Sequence, residues 1–418
     1  MQMKVAGLAG LLLCAGIALG QGSQQPAPGS PPKSPDVASD GKVTFRILLP
    51  NASAVTVSGT YPIGTVPMTR NAQGIWSATV GPLKPEIYNY SFTADGATVL
   101  DPANIRVVRD GRRFSSTLRV SGQASDLYQI RDVPHGSVAE VWYNSPSLRM
   151  RRRLRVYTPP GYESNTNRYP VLYLFHGGGG DENNWDELGH ASEILDNLIA
   201  QGKVRPMIVV MPNANEDQIA SPSLVPVIGD ANYGESTPAI LLFPESLVKD
   251  VVPFIDRTYR TKPDRDSRAV AGLSRGGAQA LYTALHHLDQ FAWYGGFSGG
   301  YSLLPGTLIT IPMPADVARL RGPHPNHTID PVKFAQLNPT LGSGLNKDMR
   351  LFYVAIGTDD ALIATHESFK ALLKSKDVKY SLLEVPGYGH EWGLWRIALA
   401  DFLPRLFQPL PQTTISSK

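Results

Sequence analysis

Beyond Ser137, runs of five or six unbroken apolar residues recur, and stretches with helical spacing separate them. Val171-Leu-Tyr-Leu-Phe, Met207-Ile-Val-Val-Met and Leu351-Phe-Tyr-Val-Ala-Ile are such runs. A strand with one wet face alternates apolar and polar residues, whereas a strand apolar at every position must be covered on both faces. Between the runs, Ala191, Ile194, Leu195, Leu198 and Ile199 fall on one helix face. Leu247 to Ile255, Ala278 to His286 and Ser368 to Leu373 also read as helices. Leu154-Arg-Val-Tyr-Thr, Ala269-Val-Ala and Tyr380 to Val385 read as further strands. The pattern predicts an α/β fold built on a largely parallel sheet with helices on both faces.

The segment before it follows a different period. Val43-Thr-Phe-Arg-Ile-Leu-Leu, Ala54-Val-Thr-Val-Ser, Gly74-Ile-Trp-Ser-Ala-Thr-Val and Ile87-Tyr-Asn-Tyr-Ser-Phe are short alternating strands with turn residues between them. Regular strands without helical stretches predict a small all-β sandwich over residues 40–121. Residues 122–134 then read as a linker, and residues 135–410 as the α/β unit. At 418 residues the chain is too long for one ordinary core, which agrees with two folded units.

At the N-terminus, Lys4 precedes an apolar run from Val5 to Leu19, and Ala18-Leu19-Gly20 places small residues where signal peptidase reads. Residues 1–20 therefore read as a secretory signal peptide, too short for a membrane anchor, giving a secreted or periplasmic protein. Residues 21–39 read as a disordered Pro/Ser-rich tail. Cys14, the one cysteine, would leave with the signal. A mature chain without cysteine has no disulfide, no thiolate nucleophile and no cysteine metal site. No His-Glu-x-x-His motif is present either, so neither a metal nor another cofactor is expected. A net charge of +3 over the whole chain points to neither nucleic acid nor a membrane as partner. The basic cluster Arg151 to Arg153 with Arg155 reads as a solvated strand face.

Four short segments carry chemistry. Gly272-Leu273-Ser274-Arg275-Gly276 is a Gly-x-Ser-x-Gly that follows a strand and opens a helix. Alone the motif is weak; in that setting it presents Ser274 on a sharp turn as a nucleophile, with glycines where side chains would collide. His176-Gly177-Gly178-Gly179-Gly180 follows the strand ending at Phe175, and such a run lets N–H groups face a cleft. Acyl transfer needs donors of this kind for its oxyanion. Gly178 and the residue after the nucleophile, Arg275, are the candidates. His176 itself reads as a brace for the loop. His390, in Gly387-Tyr-Gly-His-Glu-Trp, lies on a loop past the last strand and fits a general base. The acid partner follows the preceding strand, where Asp359 and Asp360 both qualify. Asp181 and Trp185, just past the glycine loop, are candidate substrate contacts, though helix capping explains them equally. The tract Phe291 to Phe297 reads as a buried strand.

Together these segments resemble the esterase D-like branch of the α/β-hydrolases, and within it the feruloyl esterases of carbohydrate esterase family 1. The likeness runs from about His135 to Leu406. It rests on Val156-Tyr-Thr-Pro-Pro-Gly-Tyr, Leu172-Tyr-Leu-Phe-His-Gly-Gly-Gly-Gly-Asp, Asn184-Trp185, Ile208-Val-Val-Met-Pro-Asn, Ala271-Gly-Leu-Ser-Arg-Gly-Gly and Phe291 to Ser298. Members often place the acid in Gly-Thr-x-Asp, here Gly357-Thr358-Asp359-Asp360, and the resemblance therefore selects Asp360. Arg275 departs from the methionine common at its position. The N-terminal unit resembles the early-set, immunoglobulin-like sandwich of carbohydrate-binding module 48 through Gly74 to Val80, Leu83 to Phe92 and Asp101-Pro102. Within it, Trp76 and Tyr88 read as core or interface ahead of sugar-stacking rings. The resemblance implies a secreted serine esterase acting on feruloylated or acetylated plant polysaccharide or a small aryl ester. A catecholate siderophore esterase, an acetyl-xylan esterase and a non-enzymatic glycan-binding protein on a vestigial hydrolase fold are the alternatives.

Overall fold

The computed structural model describes residues 32–60, 62–221, 239–311 and 326–408. The expected signal peptide lies outside the described residues, as does the expected tail up to residue 31.

The N-terminal unit is a β-sandwich. One sheet orders Asp36–Val37, Val43–Leu48, Ile75–Val80 and Thr69–Arg70. The other orders Gly64–Pro67, Val55–Gly59, Ile87–Ala94, Arg113–Arg119 and Val107–Asp110. Alternation does what the sequence promised. Val43, Phe45 and Ile47 are buried while Thr44 and Arg46 face outward, and Phe45 packs on Tyr90 with ring centroids 4.7 Å apart. Trp76 and Tyr88 are both buried, with Trp76 Nε1 donating to the Leu49 carbonyl at 3.0 Å and the Tyr88 hydroxyl to that of Lys84 at 2.9 Å. The end of the expected tail is corrected. Asp36–Val37 pairs with Val43-Thr44, and Ser34 is buried, donating to Asp101 at 2.6 Å. A hydroxyl that satisfies a buried carboxylate fixes a segment whose composition alone reads as disordered.

The expected linker is also corrected. Tyr128 is 3% exposed in the core of the second unit, and Asn197 Nδ2 donates to the carbonyls of Leu127 and Gln129 at 2.8 and 2.9 Å. Residues 125–129 are thus docked.

The second unit is an eight-stranded sheet of β1 (Ser137–Ser145), β2 (Met150–Thr158), β3 (Val171–Phe175), β4 (Ile208–Pro212), β5 (Arg268–Leu273), β6 (Trp293–Phe297), β7 (Leu351–Gly357) and β8 (Ser381–Val385). Their order is β1-β2-β4-β3-β5-β6-β7-β8. β2 pairs antiparallel with β1 and β4; from β4 to β8 every pairing is parallel. This is the α/β-hydrolase arrangement. β3, β4, β5 and β6 are buried at every position, as strands covered on both faces must be, and Arg268 at the start of β5 is paired with Asp256 at 2.9 Å. Separate apolar cores lie on the two faces, and each fully buried Leu, Val or Phe in them contributes roughly 1.5–3 kcal/mol. The edge strand β1 and the helix Trp392–Phe402 carry no sequence prediction.

The arginine cluster is a solvated face only at Arg151, which is exposed. Arg152 is fully buried and donates to the carbonyls of Asn213, at 2.6 Å, and Asn215. Arg153, 4% exposed, meets Glu182 at 2.7 Å, and Arg155 reaches Glu140, Asp186 and Glu187. Alternation marked the strand, but buried partners far along the chain decide where its charges point.

Register brings the strand ends together. Phe175 lies opposite Gly272, Leu273 opposite Phe297, Phe297 opposite Ala355 and Gly357 opposite Val385. The loops after β3, β5, β7 and β8 therefore emerge side by side, at the carboxyl edge where open parallel sheets form their clefts.

Candidate active site

β5 ends at Leu273, and Ser274 opens the helix Ser274–His286 with φ = +52°. A non-glycine residue in the left-handed region is strained and persists because its surroundings fix it. The flanking glycines show what fixes it. A Cβ on Gly276 would lie 2.1 Å from the His176 carbonyl oxygen, and one on Gly272 2.5 Å from the Gly276 backbone. Strand and helix are simply too close for side chains there.

The β8 loop places His390 Nε2 2.9 Å from Ser274 Oγ. On its other side, His390 Nδ1 is 3.1 Å from both carboxylate oxygens of Asp360, which lies on the β7 loop and is fully buried. Burial alone would raise the Asp360 carboxyl pKa. Hydrogen bonding and attraction to His390, the Leu362 N–H at 2.8 Å and the Ser298 hydroxyl outweigh it and hold the carboxyl below its ordinary range. Asp359 is exposed and accepts from its neighbour Thr358 instead. Of the two aspartates open to sequence reasoning, Asp360 is the one that meets the histidine.

Two supporting residues had no assigned role. Ser298, buried and at φ = +48°, links Asp360 to Trp395, whose Nε1 donates to its hydroxyl at 3.1 Å. The His390 ring in turn stands on edge to Trp395, centroids 5.0 Å apart at 87°. Ser298 lies one residue past the tract read as a strand, at the end of the Phe291 to Ser298 segment that carried the resemblance without a role for it, and Trp395 lies on the unpredicted last helix.

The glycine loop packs against the same turn. His176 is buried, its Nδ1 donating to the Gly177 carbonyl at 2.7 Å and its Nε2 accepting from the Ala214 N–H at 2.8 Å. Burial lowers its pKa to about 4, so it is a neutral brace. Gly178 lies beside Arg275, where a Cβ would find nothing nearer than Arg275 Cδ at 4.0 Å. The Arg275 N–H belongs to the first helical turn, whose N–H groups have no partner within the helix. The Arg275 guanidinium is neutralised, with Nη2 2.6 Å from Glu216 and Nη1 donating to the Ala214 carbonyl at 3.2 Å.

The two expected substrate contacts are corrected. Asp181 is 1% exposed and held by Arg109 at 2.5 Å and Ser221 at 2.9 Å. Trp185 is 1% exposed, donates to the Phe175 carbonyl at 2.8 Å and meets Phe297 and Trp392 edge-on. Both brace the loop from inside. The partner that claims Asp181 is an arginine of the sandwich, 72 residues earlier, which adjacency cannot reveal. Among the described residues no group of three or more His, Cys, Asp and Glu is arranged to hold a metal, and no helix is long and apolar enough to cross a membrane.

An esterase family model matches residues 145–406, and the model of carbohydrate-binding module 48 (isoamylase N-terminal domain) matches residues 32–107. An endo-1,4-beta-xylanase/feruloyl esterase of Xylanibacter ruminicola is 30% identical over 90% of this chain, which spans 46% of that protein's length. The enterobactin esterase of Shigella flexneri is similar in fold at TM-score 0.59 and 19% identity, over 88% of this chain and 93% of that one. A CE1 ferulic acid esterase of Anaeromyces mucronatus, solved with ferulic acid, aligns at TM-score 0.52 and 21% identity, over 69% and 98%. The chain belongs to the esterase family and is a carboxylic ester hydrolase with an α/β-hydrolase fold behind an N-terminal β-sandwich.

Proposed function

We propose that the chain is an exported serine esterase that releases hydroxycinnamate, such as ferulate, from plant cell-wall xylan. The observation that carries the catalytic reading is the continuous relay from Asp360 through His390 to Ser274, closed at 3.1 and 2.9 Å. Ser274 Oγ attacks the ester carbonyl as His390 Nε2 takes its proton. The N–H groups of Gly178 and Arg275 hold the oxyanion, each such donor contributing about 10²–10³ in rate. Collapse of the tetrahedral intermediate breaks the ester bond, and His390 gives its proton to the departing alcohol. Water, deprotonated by His390, then attacks the acyl-serine and frees the acid. Asp360 keeps the Nδ1–H tautomer and stabilises the imidazolium.

The substrate is supported by the xylanase/feruloyl esterase relative and export by the N-terminal apolar segment. The fold likeness to the enterobactin esterase spans both units and supports catecholate siderophore hydrolysis as a second reading. Purified protein assayed on methyl ferulate, feruloylated arabinoxylan, p-nitrophenyl acetate and ferric enterobactin separates them. Ferulate release from arabinoxylan supports the first reading. Turnover confined to the iron complex or to acetyl esters overturns it.

A further inference from the structure

An oxyanion site works only if its N–H donors are fixed before the reaction begins. Gly177 to Gly180 are poor material for that, because glycine backbone is permissive and four in a row carry no side chain to anchor. The run closes into a β-turn, the Gly180 N–H donating to the Gly177 carbonyl at 3.2 Å, with Gly178 and Gly179 at its centre and Gly179 at φ = +76°. Asn215 Nδ2 adds one bond to the Gly180 carbonyl at 2.8 Å. The turn's own side-chain anchors are therefore the residues at its two ends, His176 and Asp181. His176 is held from within the hydrolase at both ring nitrogens. The charge of Asp181 is met from the sandwich.

Asp181 and Glu182 are adjacent carboxylates, each 1% exposed. Buried charges side by side each need a counter-charge. Arg153 of β2 meets Glu182 at 2.7 Å. For Asp181 the one paired cation among the described residues is Arg109, on the sandwich strand Val107–Asp110. Arg109 is 6% exposed, and its guanidinium forks. Nη2 donates to Asp181 Oδ2 at 2.5 Å and to Ser221 Oγ at 2.6 Å, and Nη1 donates to the Gly111 carbonyl at 2.6 Å. The other oxygen of Asp181 accepts the Asn183 N–H at 3.0 Å, so the carboxylate ties the sandwich to the segment that leaves the turn. Gly111, at φ = +57°, presses on the turn directly: a Cβ on it would stand 2.8 Å from the Gly179 carbonyl oxygen. Arg109 thus spends its charge on the hydrolase rather than on the core of its own unit.

We propose that Arg109 is a positioning residue for the oxyanion site: by neutralising and orienting Asp181 it fixes the glycine turn, so that the Gly178 N–H is already aimed when the carbonyl oxygen becomes an anion. The sandwich thereby acts on the chemical step through the loop, without touching substrate. Removal of the guanidinium leaves Asp181 charged and buried beside Glu182. The carboxylate must then take up a proton or turn toward water, and either response loosens that end of the turn. This inference rests on the serine-esterase reading above, in which Gly178 is an oxyanion donor.

The test compares full chains carrying Arg109→Met, Asp181→Asn and both substitutions on p-nitrophenyl acetate. A reacting group displaced by about 1 Å costs about 10²-fold in rate, so kcat should fall by about 10- to 100-fold in Arg109→Met. KM should change little, the pattern of an interaction made only in the transition state. An aryl trifluoromethyl ketone, which adds to Ser274 and places an oxyanion at the Gly178 and Arg275 N–H groups, should bind more weakly by a similar factor. The double variant should lose no more than Asp181→Asn alone, because Arg109 acts through Asp181. Arg109→Lys keeps the buried charge pair where Arg109→Met fails to fold, lacks the fork, and should show the same split at reduced size. A lowered melting temperature with kcat and ketone affinity of the folded enzyme unchanged overturns the proposal and leaves Arg109 a purely structural residue. So do losses that add in the double variant, or a loss confined to KM. If the wild type forms no ketone adduct at Ser274, the serine-esterase reading fails and the proposal with it. If the wild type forms the adduct and the Arg109 variants bind the ketone equally well, the proposal alone fails.

Discussion

Asp360→Asn exchanges one oxygen for an NH2 at nearly constant volume, and the structure dictates how that group must turn. Oδ1 accepts the Leu362 N–H at 2.8 Å, so an NH2 placed there would set donor against donor. The NH2 therefore takes the Oδ2 position, 3.1 Å from His390 Nδ1. Facing that donor, with Oδ1 already taken by the Leu362 N–H, Nδ1 is driven to accept, and the imidazole proton moves to Nε2, which faces Ser274 Oγ at 2.9 Å. A protonated Nε2 cannot take the serine proton. Loss of the correct tautomer lowers kcat/KM by about 10³–10⁴, equivalent to about 4–5 kcal/mol of transition-state stabilisation. The assay is p-nitrophenyl acetate hydrolysis at pH 7, with near-UV circular dichroism to verify that the buried site is intact. An Asp360→Asn enzyme within about tenfold of wild type, far short of the tautomer penalty, would refute the reasoning. So would an Asp359→Asn enzyme that loses as much.

Further consequences follow from packing and charge. Gly276→Ala forces a Cβ to within 2.1 Å of the His176 carbonyl oxygen. The urea midpoint should shift by at least about 2 kcal/mol of stability, with activity lost in the fraction that folds. Asp181→Ala strips a buried arginine of its carboxylate and should cost roughly 3–5 kcal/mol, read as a fall in melting temperature. Acid should destabilise the fold. Burial lowers the pKa of His176 and of His366 from 6.5 to about 4, so below pH 6.5 the unfolded chain binds protons that the native chain refuses. Their contribution is complete above pH 6.5 and declines as pH falls toward 4, by up to about 3 kcal/mol each. Asp360, whose folded pKa is depressed, adds a loss at still lower pH, below its ordinary value of 3.8. Denaturation midpoints between pH 7 and 4 measure the slope. A flat profile would contradict the buried, neutral histidines.

Much of the hydrolase was legible because its strands are covered on both faces, leaving no polar positions to blur them. β3 and β5 also carry their function at their ends, so a local motif locates the site. Ser274 and the glycine loop with Gly178 stood out for that reason, and His390 by its place on the loop past the last strand; Asp360 needed the Gly-Thr-x-Asp resemblance, and the geometry agrees with it. What failed to show was long-range polar pairing. Arg152 and Arg153 look like surface cations until Asn213 and Glu182 enclose them, and Asp181 looks like a pocket residue until Arg109 arrives from the sandwich. Residues 122–134 look like a linker because Tyr128 is a single aromatic whose burial depends on Asn197 holding the backbone around it. The hairpin from Val107 to Arg119 has too little alternation to announce itself, and it is the element that joins sandwich to site.

The nucleophile is tested most directly by treating wild-type enzyme and Ser274→Ala with a fluorophosphonate, then measuring intact mass and mapping the adduct. One adduct per wild-type chain on Ser274, with none on the variant and with ester hydrolysis lost in both labelled enzyme and variant, is the expected result. An adduct on another residue, or hydrolysis that survives Ser274→Ala, would contradict a serine relay built on Ser274, His390 and Asp360.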